Sequence, residues 1–200
     1  MPGALVLDTE FNTQPFRLIS AGFVRLGKHG EQRACAYFLI RPGGFSINER
    51  GHAFAVHKIT QHAAATQGVH MHELMSWLAS VLPRTTSLVG HNVKRDIQLL
   101  REEAVRAGAD PLVAKCLGKL PVHDTMPMAR ARGMKPLSLQ SVHGALFGGT
   151  GTLPDAHNAL ADATYTAAVF NKLFDTSQVW PIAAAFFTGH GSSCSDSAAN

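Results

Sequence analysis

Two acidic residues stand beside a short apolar run near the start of the chain. Asp8 and Glu10 follow the run Ala4–Leu7, which is typical of a strand covered on both faces. Because side chains alternate along an extended segment, the two carboxylates lie on the same face. Like charges on one face repel each other, and a cation or a proton between them relieves the repulsion. The plainer alternative is an ordinary polar turn after a strand.

Two more acidic residues fall beside the apolar sides of predicted helices. Asp96 lies next to Ile97, and Asn92 is four residues earlier on the same helical face. Asp162 lies on the inward side of an alanine-rich helix. Each of these alone is compatible with helix capping or with pairing to an arginine. Together with the first pair they make four carboxylates without a basic residue spaced to neutralise each one locally. This pattern favours a divalent cation, and hard oxygen ligands select Mg²⁺ or Mn²⁺ over zinc.

A histidine precedes the last of these carboxylates. His157 is five residues before Asp162, which separates the two side chains by about 140° on a continuous helix. Both side chains therefore reach one site only if His157 lies in the first turn or in the preceding loop. Pro154 and Asp155 support such a helix start, with Asp155 as a potential N-cap.

The elements that must position these residues alternate in type along the chain. The predicted strands are Ala4–Leu7, Leu18–Leu26, Ala34–Ile40, Ser87–Val89 and Leu120–Val122, with a hairpin turn at Gly27–Gly30. The predicted helices are Met71–Leu82, a helix with an apolar stripe from Val93 to Ala107 that stops at Gly108, Met126–Arg132, Leu137–Phe147 and His157–Phe174. Three strands followed by alternating strands and helices predict an α/β fold, a mixed sheet with helices on both faces.

Composition excludes several classes of protein. The chain has 200 residues, of which 46% are hydrophobic and 16% charged, so it is neither disordered nor collagen-like. No apolar run reaches the roughly 18 residues of a membrane span, and the N-terminus does not resemble a signal peptide. Cys35, Cys116 and Cys194 are too few and too far apart for a disulfide framework. We therefore expect no membrane association and a reducing, intracellular compartment, cytoplasmic or nuclear.

Three segments resemble the motifs of a known enzyme family. Asp8-Thr9-Glu10, the segment 90–96 (Gly-His-Asn-Val-Lys-Arg-Asp) and the segment 157–162 (His-Asn-Ala-Leu-Ala-Asp) are similar in order and spacing to those of the DEDDh, or DnaQ-like, 3′→5′ exonucleases. That family includes the proofreading epsilon subunit of bacterial DNA polymerase III, ribonuclease T and oligoribonuclease. The segments 57–60 and 123–130 resemble further parts of the family, and the resemblance covers residues 4–175.

The resemblance favours the histidine branch of these nucleases. A sister family carries a catalytic tyrosine four residues before the last aspartate, where this chain has Asn158. One position departs from the epsilon-type pattern, because His52 stands where a glutamate is common. The resemblance therefore does not determine the substrate contacts in that loop.

The resemblance implies an RNase H-like fold with a mixed five-stranded sheet, and hydrolysis with two bound Mg²⁺ ions, for which Mn²⁺ can substitute. Asp8 would bind both ions, Glu10 and Asp162 would complete one site, and Asp96 would hold the second. His157 would be the general base for the attacking water. The implied products are nucleoside 5′-monophosphates from single-stranded 3′ ends of DNA or RNA. The expected contacts to the terminal nucleotide are Phe11, by stacking on its base, and Asn12, His57 and Asn92.

The expected organisation is one exonuclease domain over residues 1–188 with a disordered tail at 189–200. An apolar segment, Val179–Phe187, is either a final packed helix or a surface for a protein partner. The alternative function is a catalytically silent nucleic-acid-binding or polymerase-associated module on the same fold. A homodimer or a polymerase partner remains open at this point.

The charge of the chain fits a polyanionic ligand. Lysine and arginine number 18 against 14 acidic residues, which gives a net charge of +4. If two divalent ions neutralise the four site carboxylates, the balance becomes 18 against 10. The basic residues are concentrated in the first three quarters of the chain, including a group between Lys94 and Lys135. We therefore expect an acidic pit that is approached across a basic surface.

Overall fold

The computed structural model describes residues 3–149 and 153–174. Its strands are β1 (Gly3–Thr13), β2 (Phe16–Leu26), β3 (Gln32–Leu39), β4 (Thr85–Gly90) and β5 (Val122–Asp124). Its helices are α1 (His52–His57), α2 (Gln61–Gln67), α3 (Met71–Val81), α4 (Lys94–Arg106), α5 (Pro111–Lys119), α6 (Thr125–Ala131), α7 (Leu139–Phe147) and α8 (Ala159–Leu173). A short 3₁₀ turn, Leu82–Arg84, joins α3 to β4.

The five strands form one mixed sheet in the order β3-β2-β1-β4-β5. The first three strands pair antiparallel, whereas β4 and β5 run parallel to β1. The carboxyl ends of β1, β4 and β5 therefore meet at one end of the sheet. This topology confirms the predicted mixed five-stranded sheet.

Both faces of the sheet are covered, because side chains of β1 alternate between two clusters. Leu5 and Leu7 pack in a large core with residues of α3, α4 and α5. Val6 packs on the other face with Ala163 and Phe170 of α8. The predicted helices on both faces are therefore confirmed, and β1 is buried between the two layers.

Element boundaries differ from the predicted ones where long-range pairing extends or shifts a strand. β1 continues through Thr13 because it pairs with β2 over its whole second half. Asp8 and Glu10 therefore lie within the strand and not after it. β5 begins at Val122, where the prediction had a strand ending, because its residues pair with β4 from Leu88 to Gly90.

Two of the predicted helix features are also corrected. α8 begins at Ala159, two residues later than predicted, and its N-cap is Asn158 rather than Asp155. The helices α1, α2 and α5 were not predicted. They have six, seven and nine residues, which is too short for a clear apolar repeat.

A buried carboxylate holds α4 against β2. The Glu103 side chain is fully buried, and its Oε1 lies 2.8 Å from Nε of Arg17 and 2.8 Å from a terminal guanidinium nitrogen of Arg106. The backbone N–H of Leu18 donates to the same oxygen at 3.2 Å. These bonds connect α4, which carries Asp96, to the start of β2.

No helix within the described residues is long and apolar enough to cross a membrane. The predicted tail at residues 189–200, the Val179–Phe187 segment and the end of the predicted domain at residue 188 lie outside the described residues.

Candidate active site

β1 delivers two carboxylates to one face of the sheet. Asp8 pairs with Gly22 of β2, and Glu10 pairs with Ser20. Both side chains lie on the face that packs against α8, as the alternation from Val6 requires. Glu10 is 9% exposed. The strand register therefore brings both carboxylates under the start of α8.

The first turn of α4 brings Asp96 to the same strand. The backbone N–H and the hydroxyl of Thr9 both donate to Oδ1 of Asp96, at 3.1 and 2.5 Å. Thr9 points to the face of the sheet opposite Asp8 and Glu10. The pair Thr9–Asp96 thereby fixes the position of the α4 carboxylate relative to β1.

The start of α8 contributes the remaining acidic residue and the histidine. The side chain of Asn158 accepts hydrogen bonds from the backbone N–H groups of Leu160 and Ala161 and so begins the helix. His157 precedes this cap in a left-handed conformation, with φ of 69°. Its backbone N–H donates to Oδ2 of Asp162 at 3.1 Å. His157 thus lies in the loop before α8. Its five-residue spacing from Asp162 requires this position if both side chains are to share a site.

Three of these side chains form a group that could hold a cation. Glu10, His157 and Asp162 each offer one ligand atom, and these atoms lie within 4.8 Å of one another. Within the described ranges 3–149 and 153–174, this is the one group of three or more such residues at that spacing. The charge of Asp8 interacts with those of Glu10 and Asp162 in this group, and the charge of Asp96 interacts with that of Glu10.

Burial raises the pKa values of all four carboxyls, and repulsion by the other site carboxylates adds to the rise at Asp8 and Glu10. Burial is the largest cause at each of them, followed for Asp8 by the charges of Asp96, Glu10 and Asp162. The pKa of Glu10 rises to about 8 and that of Asp96 to about 6, the latter restrained by the hydrogen bonds from Thr9. Glu10 therefore holds a proton at neutral pH when no cation is bound, whereas Asp96 is largely ionised there.

No basic side chain neutralises this cluster. In the part of the chain that the structure describes, none of the four carboxylates forms an ion pair with lysine or arginine. Oxygen ligands, raised pKa values and missing counter-charges fit one or more hard divalent cations. They do not fit a zinc centre made of cysteine and histidine.

Two of the four predicted substrate contacts lie on accessible parts of the site. Phe11 is half-buried, and its ring meets that of Phe16 edge to face, with centroids 5.1 Å apart. Asn92 is exposed with φ of 62°, and its backbone N–H donates to Oδ1 of Asp124 at 2.8 Å. The Asn92 side chain remains a predicted substrate contact.

The other two predicted contacts are buried. Asn12 is 2% exposed. Its side-chain nitrogen donates to the carbonyls of Gln14 and Pro15 at 2.9 and 3.0 Å, and its oxygen accepts from the N–H of Asn48 at 2.9 Å. The Asn12 amide thus holds the β1–β2 turn against the following loop, and its contact with the terminal nucleotide stays a prediction.

His57 ends α1 and is 8% exposed. Its Nδ1 accepts a hydrogen bond from the backbone N–H of Ile59 at 2.9 Å. Burial lowers the pKa of its imidazole, with a further lowering by Lys58. This leaves Nε2 as the ring atom through which the predicted substrate contact would have to run.

Two residues that support the site, His91 and Asp124, were not predicted from the sequence. His91 lies between Oγ1 of Thr125 and the carbonyl of Leu137, at 2.8 and 2.7 Å, and so connects the start of α6 to the start of α7. Asp124 accepts from Asn92 and also from the N–H of Met126, at 3.0 Å. Both residues fall in segments that resemble the exonuclease family, which was the available signal.

A separate groove lies on the other side of α4. It has a volume of about 640 Å³ and is lined by apolar residues such as Ile97 and Leu117, with Lys94 and Arg101 at its rim. It contains none of the predicted catalytic residues. The two basic side chains belong to the predicted basic group.

Comparison with known proteins gives structural matches alone. No protein-family model matches the chain, and no curated protein sequence matches it. The zinc-bound complex of E. coli exonuclease I with single-stranded DNA is 20% identical, with a TM-score of 0.74, and the match covers 94% of this chain and 43% of that one. A further exonuclease I structure has a TM-score of 0.76 at 20% identity, with 94% and 44% covered.

A moderately thermophilic exonuclease I from Methylocaldum szegediense is similar to the same degree, with a TM-score of 0.74, 20% identity and coverage of 94% and 43%. The chain therefore spans less than half the length of these solved proteins. At such identities the likeness concerns the fold. The chain has the RNase H-like fold of the exonuclease I structures, as the resemblance to the DEDDh family predicted.

Proposed function

We propose that the protein is a metal-dependent 3′→5′ exonuclease of the DEDDh type that acts on single-stranded nucleic acid. The observation that carries this proposal is the convergence of Asp8, Glu10, Asp96 and Asp162 from three separate elements, without a basic partner among the described residues. Isolated buried carboxylates are costly, so their collection at one site calls for a function that uses them.

The four carboxylates would hold two divalent ions. Glu10 and Asp162 would bind one ion, Asp96 the second, and Asp8 both. When bound, such ions activate water and stabilise the negative charge that develops on the phosphate and the leaving oxygen. Mg²⁺ suits this all-oxygen set, and Mn²⁺ is the expected substitute.

His157 would accept the proton of the attacking water at a ring nitrogen. The water oxygen forms a bond to phosphorus while the bond to the 3′-oxygen of the preceding nucleotide breaks. The products are a nucleoside 5′-monophosphate and a strand one nucleotide shorter with a 3′-hydroxyl. The loop position of His157 supports this role, since its ring is exposed beside Glu10 and Asp162.

Single-stranded DNA is the first substrate to test. The exonuclease I structures to which this chain is similar include complexes with single-stranded DNA, among them a dT13 oligonucleotide. Phe11, a half-buried residue of the strand that carries Asp8 and Glu10, would provide an aromatic surface of the kind on which unpaired bases stack.

The test compares wild type with Asp8→Ala on a 5′-labelled single-stranded oligonucleotide in Mg²⁺. Wild type should give a ladder of products that shorten from the 3′ end, and a chelator should stop the reaction. Asp8→Ala should lower the rate by at least about 100-fold, because it removes the carboxylate shared by both ions. Asp110→Ala is the matched control, since Asp110 is an exposed N-cap of α5 outside the site.

A second substrate with a phosphorothioate linkage at its 3′ end tests direction and should be cut slowly. Single-stranded RNA of the same sequence measures sugar preference. If purified wild type leaves every strand intact in Mg²⁺ and in Mn²⁺, the proposal is wrong and a silent binding module takes its place.

A further inference from the structure

We infer that Arg95 binds a backbone phosphate of the incoming single strand, and that Phe11 and Phe16 hold its guanidinium ready for that contact. This inference rests on the proposed function and extends it to a residue with no assigned role. We call the three side chains together the Arg95 clamp.

The clamp is defined by three close contacts. The guanidinium carbon of Arg95 lies 4.8 Å from the ring centroid of Phe11 and 4.7 Å from that of Phe16. The two rings meet edge to face at 5.1 Å. Both rings also pack against the large core. The cation is therefore supported from two sides by rings that cannot move freely.

The direction of this side chain is unexpected on electrostatic grounds. Arg95 is the direct neighbour of Asp96, and a strongly acidic cluster lies within its reach along the chain. Nevertheless, among residues 3–149 and 153–174 no carboxylate forms an ion pair with Arg95. The guanidinium instead lies on the rings of Phe11 and Phe16, which leaves the site carboxylates to bind cations.

The clamp leaves the hydrogen-bonding edge of the guanidinium open. An arginine has five N–H donors in the plane of its guanidinium, whereas aromatic rings attract its face or its charge. Arg95 is exposed, so these donors remain available to a ligand. A planar fork of donors matches the oxygens of a phosphodiester.

The position beside Phe11 suits a strand whose end enters the pit. The guanidinium of Arg95 lies over the ring of Phe11, so a terminal base that contacts Phe11 would bring its neighbouring phosphate to this cation. A fixed cation at this point contributes one phosphate contact to binding. It also aligns the strand, since phosphate contacts position a nucleic acid without reading its sequence.

The test measures binding of a fluorescent oligothymidylate by anisotropy between about 50 and about 200 mM salt. All chains carry Asp8→Ala, which prevents hydrolysis. One phosphate contact to a single strand adds about 0.7 to the slope of log affinity against log salt. Arg95→Met should reduce the slope by about that amount and weaken binding about tenfold at low salt.

Two variants separate charge from packing. Methionine keeps a long apolar stem on the two rings, so Arg95→Met should unfold at nearly the wild-type temperature. Arg95→Lys retains the charge and should restore most of the salt slope. Arg84→Met is the matched control, because Arg84 is exposed in the turn before β4, at the opposite end of that strand from the site.

In the active chain, which lacks the Asp8→Ala change, Arg95→Met should raise KM and leave kcat nearly unchanged. If Arg95→Met has the wild-type salt slope, the arginine only packs on the rings and the inference is wrong, even where wild type hydrolyses DNA. If wild type neither hydrolyses nor binds any strand, the proposed function fails together with the clamp.

Discussion

Hydrogen bonds from Thr9 give Asp96 a lower pKa than that of the neighbouring Glu10. Asp96 receives two hydrogen bonds from Thr9, which favour its charged form and hold its pKa to about 6. Glu10 shares the burial and the repulsion, and its pKa rises to about 8. Asp96 is therefore ionised before Glu10 as the pH rises, so at neutral pH it is the better first ligand for a cation.

The role of His157 is tested by the pH dependence of the rate. A general base must be unprotonated to accept a proton, so wild-type kcat should rise with pH until the base is fully deprotonated. His157→Ala should lower kcat by about 100-fold or more and flatten this rise. The measurement is single-turnover hydrolysis across the pH range in saturating Mg²⁺.

His62→Ala is a suitable control for this experiment, since His62 is an exposed residue of α2. A ring nitrogen of His157 also lies among possible cation ligands. If His157→Ala raises the Mg²⁺ concentration for half-maximal rate and leaves the shape of the pH profile unchanged, His157 is a ligand and not the base.

At the scale of elements, the site depends on how closely α8 approaches the sheet. A Cβ on Gly22 would lie 2.2 Å from the carbonyl carbon and the oxygen of Ala159. Gly22 pairs directly with Asp8, and Ala159 begins the helix that carries Asp162. Because Gly22 has no side chain, α8 can lie close enough to the sheet to bring Asp162 over Asp8.

Gly22→Ala should move the start of α8 away from the strand. We expect a loss of about 1–3 kcal/mol in the free energy of unfolding, because the added methyl group meets backbone atoms that cannot turn aside. Activity measured at a temperature where the variant is fully folded should also fall, since Asp162 moves with the helix. Urea unfolding and hydrolysis rates provide the two measurements.

Gly43→Ala is the matched control. A Cβ at Gly43 meets nothing within 4 Å, and its φ is not in the left-handed region. Wild-type stability and activity are expected for it. Should Gly22→Ala be as active as Gly43→Ala, the close approach of α8 does not position Asp162.

At the scale of the whole molecule, the acidic cluster makes stability depend on pH and on cations together. The folded chain binds the Glu10 proton more tightly than the unfolded chain, since its pKa rises from 4.5 to about 8. The stabilisation from this proton is fully present below about pH 4.5 and is lost as the pH rises through about 8. The proton on Asp96 stabilises the folded chain in the same way, and this stabilisation is lost as the pH rises through about 6.

In a chelator, the wild-type free energy of unfolding should therefore fall between about pH 5 and about pH 9, by on the order of 1–3 kcal/mol. Glu10→Gln should lose less over the same range. Mg²⁺ should stabilise wild type more at about pH 8 than at about pH 5, because cations replace protons on the carboxylates. Glu102→Gln, an exposed change on α4, should keep the wild-type dependence.

Thermal unfolding at several pH values, with and without Mg²⁺, measures these effects. A pH dependence that is equal in wild type and in Glu10→Gln would contradict the electrostatic coupling of the site. A Mg²⁺ effect of the same size at every pH would show that the cation binds elsewhere.

The local pattern of the sequence was sufficient to predict the main helices and strands and the residues of the acidic cluster. Alternation in β1 put Asp8 and Glu10 on one face, and helical spacing required His157 to precede α8. Both follow from the periods of strands and helices, which depend on neighbours in the chain. The resemblance of three short segments to the DEDDh exonucleases then indicated the RNase H-like fold.

The tertiary structure decided what each of these side chains contacts. The bond from Thr9 to Asp96 joins residues 87 positions apart, and the burial of Asn12 depends on a loop more than 30 residues away. The turning of Arg95 to Phe11 and Phe16 follows from the packing of a hairpin on a helix. Hydrogen bonds, pKa values and counter-charges are set by neighbours in space, which the spacing of residues along the chain does not specify.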